Sequence, residues 1–311
     1  MWHVHGSWAT SFVQGQHDYV LPVTPGRDAD GLGRARTWDW PAAVVERTPA
    51  QLRDEPIDVV VLQRIAEIEL AERWLGRRPG RDVPAVFVEH NAPEPHPALS
   101  RHPLAEQSAV PIVHVTHFNR MFWDNGEART SVIEHGIVDP GELYTGQLER
   151  AGVVVNDPVR RGRMVGTDLL PVLARAVPLD VFGMRVQALR IPDVVTHEDL
   201  PQHRMHQALA QRRMYVHPVR WTSLGLSLLE AMHLGMPVLA VDSTEVQRAV
   251  PPQAGVVSTD VDELVAAARL YAGEPEAARL AGKVARAAAL ERYGLARFLS
   301  DWDRTLAEVA S

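Results

Sequence analysis

The stretch Trp221 to Pro237, WTSLGLSLLEAMHLGMP, constrains this chain most, because it joins a strand signal to a helix signal through a turn of a few small residues. Met214, Tyr215 and Val216 form an apolar β-type run that ends at His217 and Pro218. After the turn, Leu226, Leu229, Met232 and Leu234 recur at helical spacing. Thr222 or Ser223 is expected to cap this helix, and Gly235 followed by Pro237 to stop it. A helix opening there presents the backbone N–H groups of Leu224, Gly225 and Leu226 to whatever lies in front, and its dipole favours an anion such as a diphosphate. Glu230 has two readings: an ordinary exposed carboxylate on an amphipathic helix, or an acceptor for a pair of ribose hydroxyls.

The rest of the chain alternates short apolar runs with loops and helical stretches, the pattern of a mostly parallel α/β sheet. Strands are expected at Trp2 to His5, Tyr19 to Val23, Ile57 to Leu62, Ala85 to Glu89, Ile112 to Val115 and Ser131 to Glu134. Ile65 to Leu75 has helical periodicity with Glu67, Glu69 and Glu72 outward. Thr24 to Trp40, rich in Gly, Arg and Asp, reads as a loop able to close over a cleft. Open α/β sheets bind ligands at the carboxyl ends of their strands, which directs attention to Gly6 and Ser7 and to His90 and Asn91. In the second half, a strand at Gly152 to Val155 precedes the basic run Arg160, Arg161 and Arg163, then a helix from Asp168 to Ala176 that Thr167 is placed to cap. Leu179 to Met184 and Val238 to Val241 are further strands, and Pro201 to Gln211 a further helix.

These segments together resemble the retaining glycosyltransferases of the GT-B fold, family 4 (glycosyl transferases group 1). In the hinge, Gly225, Glu230, Ala231, Met232, Gly235, Pro237 and Val238 fall on the family pattern, whereas Thr222 stands at the place of its first Glu. VPAVFVEHNAP resembles the strand that ends in the family's active-site His, here His90, and SVIEHGIVDP the segment closing its first domain, with His135 where Asn is usual. The basic run resembles the segment in which an Arg and a Lys grip the diphosphate; Val165 stands at the Lys, so Arg160, Arg161 or Arg163 is required to substitute. The resemblance implies two Rossmann-like parallel-sheet domains facing a central cleft: residues 1–139 on the acceptor side, a linker at 140–150, a nucleotide-sugar domain at 151–295, and a helix at 296–311 packing back on the first domain. It implies catalytic roles for His90 and the three arginines, and donor binding by Gly6, Gly183, Met184, Thr222, Ser223, Leu224, Gly225, Leu226 and Glu230. The activity implied is transfer of a UDP- or GDP-linked sugar, with retention at the anomeric carbon, to a glycan, lipid or small-molecule acceptor. No metal or other cofactor is needed for that chemistry.

Composition narrows the alternatives. The net charge of −7 argues against a nucleic-acid partner. With no cysteine there is neither a disulfide framework nor a thiolate site. No apolar run reaches the ~20 residues of a membrane helix and MWHVHGSW lacks the pattern of a signal peptide, so a cytoplasmic location is expected, with peripheral membrane contact still open. His203 and His206 are spaced for one helical face but have no third ligand close in sequence. Trp38 and Trp40 read as core anchors or as a stacking surface for an acceptor ring. Two rivals remain: a non-catalytic GT-B protein that binds a nucleotide sugar or partners a transferase, and a phosphorylase or epimerase on the same architecture.

Overall fold

A computed structural model describes residues 1–311. The chain forms two compact units, Met1–Gly136 with Leu295–Ser311, and Ile137–Gly294.

The second unit is built on a 6-stranded parallel sheet in the order Gly255–Ser258, Val238–Val241, Arg212–His217, Leu148–Val154, Leu179–Gly183, Val194–Glu198. The chain starts in the middle of this sheet at Leu148–Val154, builds outward to one side, then returns to build the other. The topological switch point therefore lies between Leu148–Val154 and Arg212–His217, where an α/β sheet opens a crevice at its carboxyl edge. Arg212–His217 is buried along its whole length. Its two arginines are satisfied inside: Arg212 donates to Asp180 (3.0 Å), and Arg213 to the carbonyls of Gly146 (2.6 Å) and Ala272 (2.7 Å).

The helix expected after this strand spans Leu226–Leu234 and is apolar almost all round, with Leu228, Leu229, Ala231, Met232 and Leu234 buried. A helix of that kind has to be covered on every side. The sheet covers one side and helix Pro275–Tyr293 another, and each buried Leu contributes about 1.5–3 kcal/mol. Gly282 permits the close helix contact, since a Cβ there would come within 2.0 Å of the Gly235 carbonyl oxygen. Gly235 ends the helix at φ +90, a conformation open chiefly to glycine.

Several local expectations for this unit need correction. Gly225, not Thr222 or Ser223, is the N-cap of Leu226–Leu234. Thr167 does not cap a helix: its hydroxyl donates to the Pro158 carbonyl (2.7 Å), and the helix expected from Asp168 is a 3₁₀ turn, Thr167–Leu169, followed by Leu170–Ala174. Pro140 to Arg150 is tied into this unit, with Tyr144 N–H bonded to Leu234 O (3.0 Å) and Thr145 N–H to Ala210 O (2.9 Å).

In the first unit, Val60–Leu62, Ala85–Glu89, Ile112–His114 and Thr130–Val132 form a 4-stranded parallel sheet, and Tyr19–Pro22 pairs with Val44–Arg47 in a separate 2-stranded one. Trp2 to His5 is not a strand; the Gln63 side-chain amide donates to the Trp2 carbonyl (2.7 Å). Helix Gly6–Phe12 follows, and its Trp8 and Phe12 meet Trp302 edge-on at 5.7 and 5.1 Å, a seat for helix Leu295–Ala310.

Within helix Ala66–Leu75, Glu67 does not face outward. It is 0% exposed and accepts from Gln63 N–H (2.7 Å) and Arg64 Nε (2.7 Å), so it serves donors of the turn that leads into the helix. Thr24 to Trp40 is held down by Arg34, which donates to the Trp40 and Pro41 carbonyls (2.8 and 3.0 Å), and by the Arg27–Glu46 ion pair (2.8 Å).

Candidate functional site

At the carboxyl edge of the 6-stranded sheet, segments that are distant in sequence meet around the switch point. The loop after Arg212–His217 reaches the basic run, since Arg220 N–H bonds to Met164 O (2.9 Å). The loop after Val238–Val241 joins the loop after Arg212–His217, with the Ser243 hydroxyl donating to Val219 O (3.0 Å). Met184 N–H bonds to Asn156 Oδ1 (2.9 Å) and Asp157 N–H to Met184 O (2.8 Å), so Gly183 and Met184 lie beside the turn that leads into the basic run. Thr222, Ser223, Leu224, Gly225 and Leu226 thus share one sheet edge with Arg160, Arg161 and Arg163.

The N-terminus of helix Leu226–Leu234 opens at this edge, where an anion gains from unpaired backbone donors and the helix dipole. Behind Gly225 stands His217, whose ring occupies the space a Cβ at position 225 would need, 2.4 Å away. His217 is buried, its Nε2 has no hydrogen-bond partner in the protein, and burial pushes its pKa down to about 4. The loop is therefore backed by a neutral imidazole and has no room for a side chain at Gly225.

Glu230 is 3% exposed, so it is not the solvent-facing carboxylate of an amphipathic helix. Gln202 donates to its Oε1 (3.1 Å) and His206 to its Oε2 (3.3 Å). Helical spacing puts His203 and His206 on one face, but His203 is exposed, whereas His206 turns inward to Glu230.

The arginines are already paired. Arg160 and Arg185 both hold Asp157, the latter at 3.0 Å, and Arg163 and Arg220 both hold Asp168, at 2.7 and 2.6 Å. Arg161 lies against the Met164 sulfur (3.8 Å). Arg160 and Arg163 are 71% and 75% exposed, so these ion pairs hold them weakly and leave them able to swing toward an anion. Hydrogen bonding from Arg220 first, then the charges of Arg220 and Arg163, holds the Asp168 carboxyl below its ordinary range. Arg220 escaped sequence reasoning, although its place one residue ahead of the hinge was the signal. Val165 is 2% exposed, and its side chain belongs to the core. A lysine there would have to bury its charge or remodel the loop.

In the first unit, His90 sits at the carboxyl end of Ala85–Glu89 and is buried. Its Nε2 lies 3.0 Å from Gln63 Oε1, and its ring lies tilted against that of His5, centroids 4.1 Å apart. Burial first, then the neighbouring His5 and His135, hold His90 well below its ordinary pKa, so it is a neutral hydrogen-bonding group at pH 7. Gly6 follows His5 and is covered by the Trp38 indole, which a Cβ would approach to 3.2 Å. Trp40 is a core anchor, with Nε1 donating to the Thr10 hydroxyl (2.8 Å).

Residues 168–272 match a family model described as glycosyl transferases group 1. No curated protein sequence matches the chain. Among solved structures, the chain resembles a mutant of S. aureus TarM in complex with fondaparinux, alpha-GlcNAc-glycerol and UDP, at 13% identity and a TM-score of 0.61 over 76% of this chain. It spans only 53% of that TarM chain. It also resembles sucrose-phosphate synthase from Thermosynechococcus elongatus (14%, TM-score 0.62, 81% of this chain and 73% of that one). Anabaena Alr3699/HepE in complex with UDP-glucose is similar over 85% of this chain and 86% of its own, at 15% identity and TM-score 0.62. The chain thus has the GT-B fold of these glycosyltransferases, and the part whose sequence matches group 1 is residues 168–272, which carry the hinge and Glu230.

Proposed function

We propose that this protein is a glycosyltransferase that moves a sugar from a nucleoside diphosphate donor, UDP-linked in the first instance, to a glycan or other hydroxyl acceptor with retention at the anomeric carbon. The observation that carries this reading is the helix Leu226–Leu234 opening at the switch point with a buried carboxylate, Glu230, on the same helix. Support for UDP comes from the similar TarM and HepE structures, which hold UDP or UDP-glucose. In this reading the diphosphate lies against the backbone N–H groups at Leu224 to Leu226, Glu230 accepts from the ribose, and Gly183 and Met184 line the nucleotide side. His90, in the first unit, is a neutral polar group of the kind that the resemblance assigns to donor-sugar contact. Charge on the departing diphosphate is what most needs stabilising, and the helix terminus with Arg160, Arg161, Arg163 and Arg220 supplies it without a metal or an enzyme nucleophile.

The test is a panel of UDP-, GDP- and dTDP-sugars, with donor hydrolysis and transfer followed by chromatography. At least one donor should be turned over, and Arg163→Ala or Arg220→Ala should lower its turnover about 10-fold or more while changing affinity for the free nucleotide less, since charge grows as the bond breaks. Wild-type rates in both variants would reduce that basic cluster to a solvated surface.

Thr222, half-buried in the hinge loop, favours a second comparison. One hydroxyl there replaces the two acceptor oxygens of a carboxylate, which suits a donor sugar lacking a hydroxyl on that side. Thr222→Glu is expected to shift preference from a deoxygenated to a fully hydroxylated donor. Nucleotide binding with no turnover by either form would establish the non-catalytic alternative.

A further inference from the structure

Glu230 projects from helix Leu226–Leu234, and two donors that hold its carboxylate come from a different helix, Gln202–Leu209. Gln202 and His206 are separated by one helical turn and so face the same way. Each donates to a different carboxylate oxygen: Gln202 Nε2 to Oε1 at 3.1 Å and His206 Nε2 to Oε2 at 3.3 Å. The terminal torsion of a glutamate is broad and weakly constrained by its own rotamer wells. Two donors on two oxygens remove that freedom, because any rotation of the carboxylate plane breaks both bonds. His206 is 5% exposed, so its share of the clamp is shielded from water.

Resting on the nucleotide reading above, we propose that His206, with Gln202, is a positioning residue that holds the Glu230 carboxylate in the orientation that accepts the ribose hydroxyls, and so sets the preference of this site for ribonucleotides. His206 touches no substrate. It acts by presenting an already oriented acceptor, which spares the ligand the ordering cost on binding.

The measurement is the ratio of affinities for UDP and 2′,3′-dideoxyuridine diphosphate, with the guanosine pair in parallel, by calorimetry on the full chain. Wild type should prefer the ribonucleotide. His206→Ala should weaken UDP binding about 10-fold and leave the dideoxy analogue nearly unchanged, collapsing the ratio. His206→Gln, whose amide N–H reaches about as far as the imidazole Nε2, should restore the ratio. Melting curves establish that each variant is folded. If His206→Ala keeps the wild-type ratio, or weakens both nucleotides alike, or if His206→Gln fails to restore it, the positioning role is overturned and the nucleotide site stands. If wild type binds no nucleoside diphosphate, the nucleotide reading falls and this role falls with it.

Discussion

Replacing Glu230 by Ala is expected to weaken nucleoside diphosphate binding by about 1.5–3 kcal/mol, roughly 10- to 150-fold, the range for hydrogen bonds to a charged acceptor. The same substitution also costs stability, because Gln202 and His206 lose their common acceptor inside the fold. His206 is buried, and leaving its donor without a partner costs about 1–3 kcal/mol, whereas the half-exposed Gln202 can turn to water, so the variant should unfold at lower denaturant concentration. Glu230→Gln separates the two effects. It keeps the side-chain volume and an acceptor oxygen for His206 but removes the charge, so it should recover much of the stability and less of the affinity. Calorimetric titration with UDP, run well below the melting temperature of each variant, gives the binding loss directly. Unchanged affinity in Glu230→Ala would remove Glu230 from the site, whatever happens to stability.

The fold and the site were unequally legible in the sequence. The second unit's central strand–turn–helix could be read because its signals are local: an apolar strand run, small residues in the turn, helical spacing, then Gly235 and Pro237. Periodicity reports which face of an element is apolar, but it says nothing of which partner a polar side chain will find. Glu67 looked like one of three outward carboxylates, yet it turns in to serve the donors of Gln63 and Arg64. Trp2 to His5 has strand-like composition, but strand identity depends on a backbone ladder, and the Trp2 carbonyl instead accepts from the Gln63 side chain. Contacts made across long sequence separations were equally hidden. His206 reaches Glu230 and Arg220 reaches Asp168 only once the sheet has brought their loops to one edge. Family resemblance located the departures at Thr222 and Val165, and packing supplied a reason for the second, a core position beneath the loop.

Acidification from pH 7 to pH 5 should destabilise the first unit by about 2 kcal/mol for each histidine that it keeps buried and neutral. His135 is 2% exposed, and burial first, then the charges of His5 and Arg297, push its pKa down to about 3. Burial likewise takes His114, fully enclosed on the strand Ile112–His114, down to about 4. In the unfolded chain both return to the ordinary value of ~6.5. The unfolded state therefore binds more protons than the folded one between ~6.5 and the folded pKa, and linkage makes stability fall as pH drops through that window. The loss continues toward the folded pKa of each group. At pH 5 the difference is about 1.5 pH units, or about 2 kcal/mol per group, and about 4 kcal/mol for the pair. Of the 8 tryptophans only Trp221 lies outside the first unit, so urea unfolding followed by tryptophan fluorescence reports mainly on that unit. Comparison with His135→Asn isolates one group, since an amide takes up no proton in this range and is small enough for the space the imidazole vacates. The variant should lose about 2 kcal/mol less than wild type between pH 7 and pH 5. An identical pH dependence in the two proteins would mean that His135 is hydrated or protonated in the folded state, contrary to its enclosure beside His5 and Arg297.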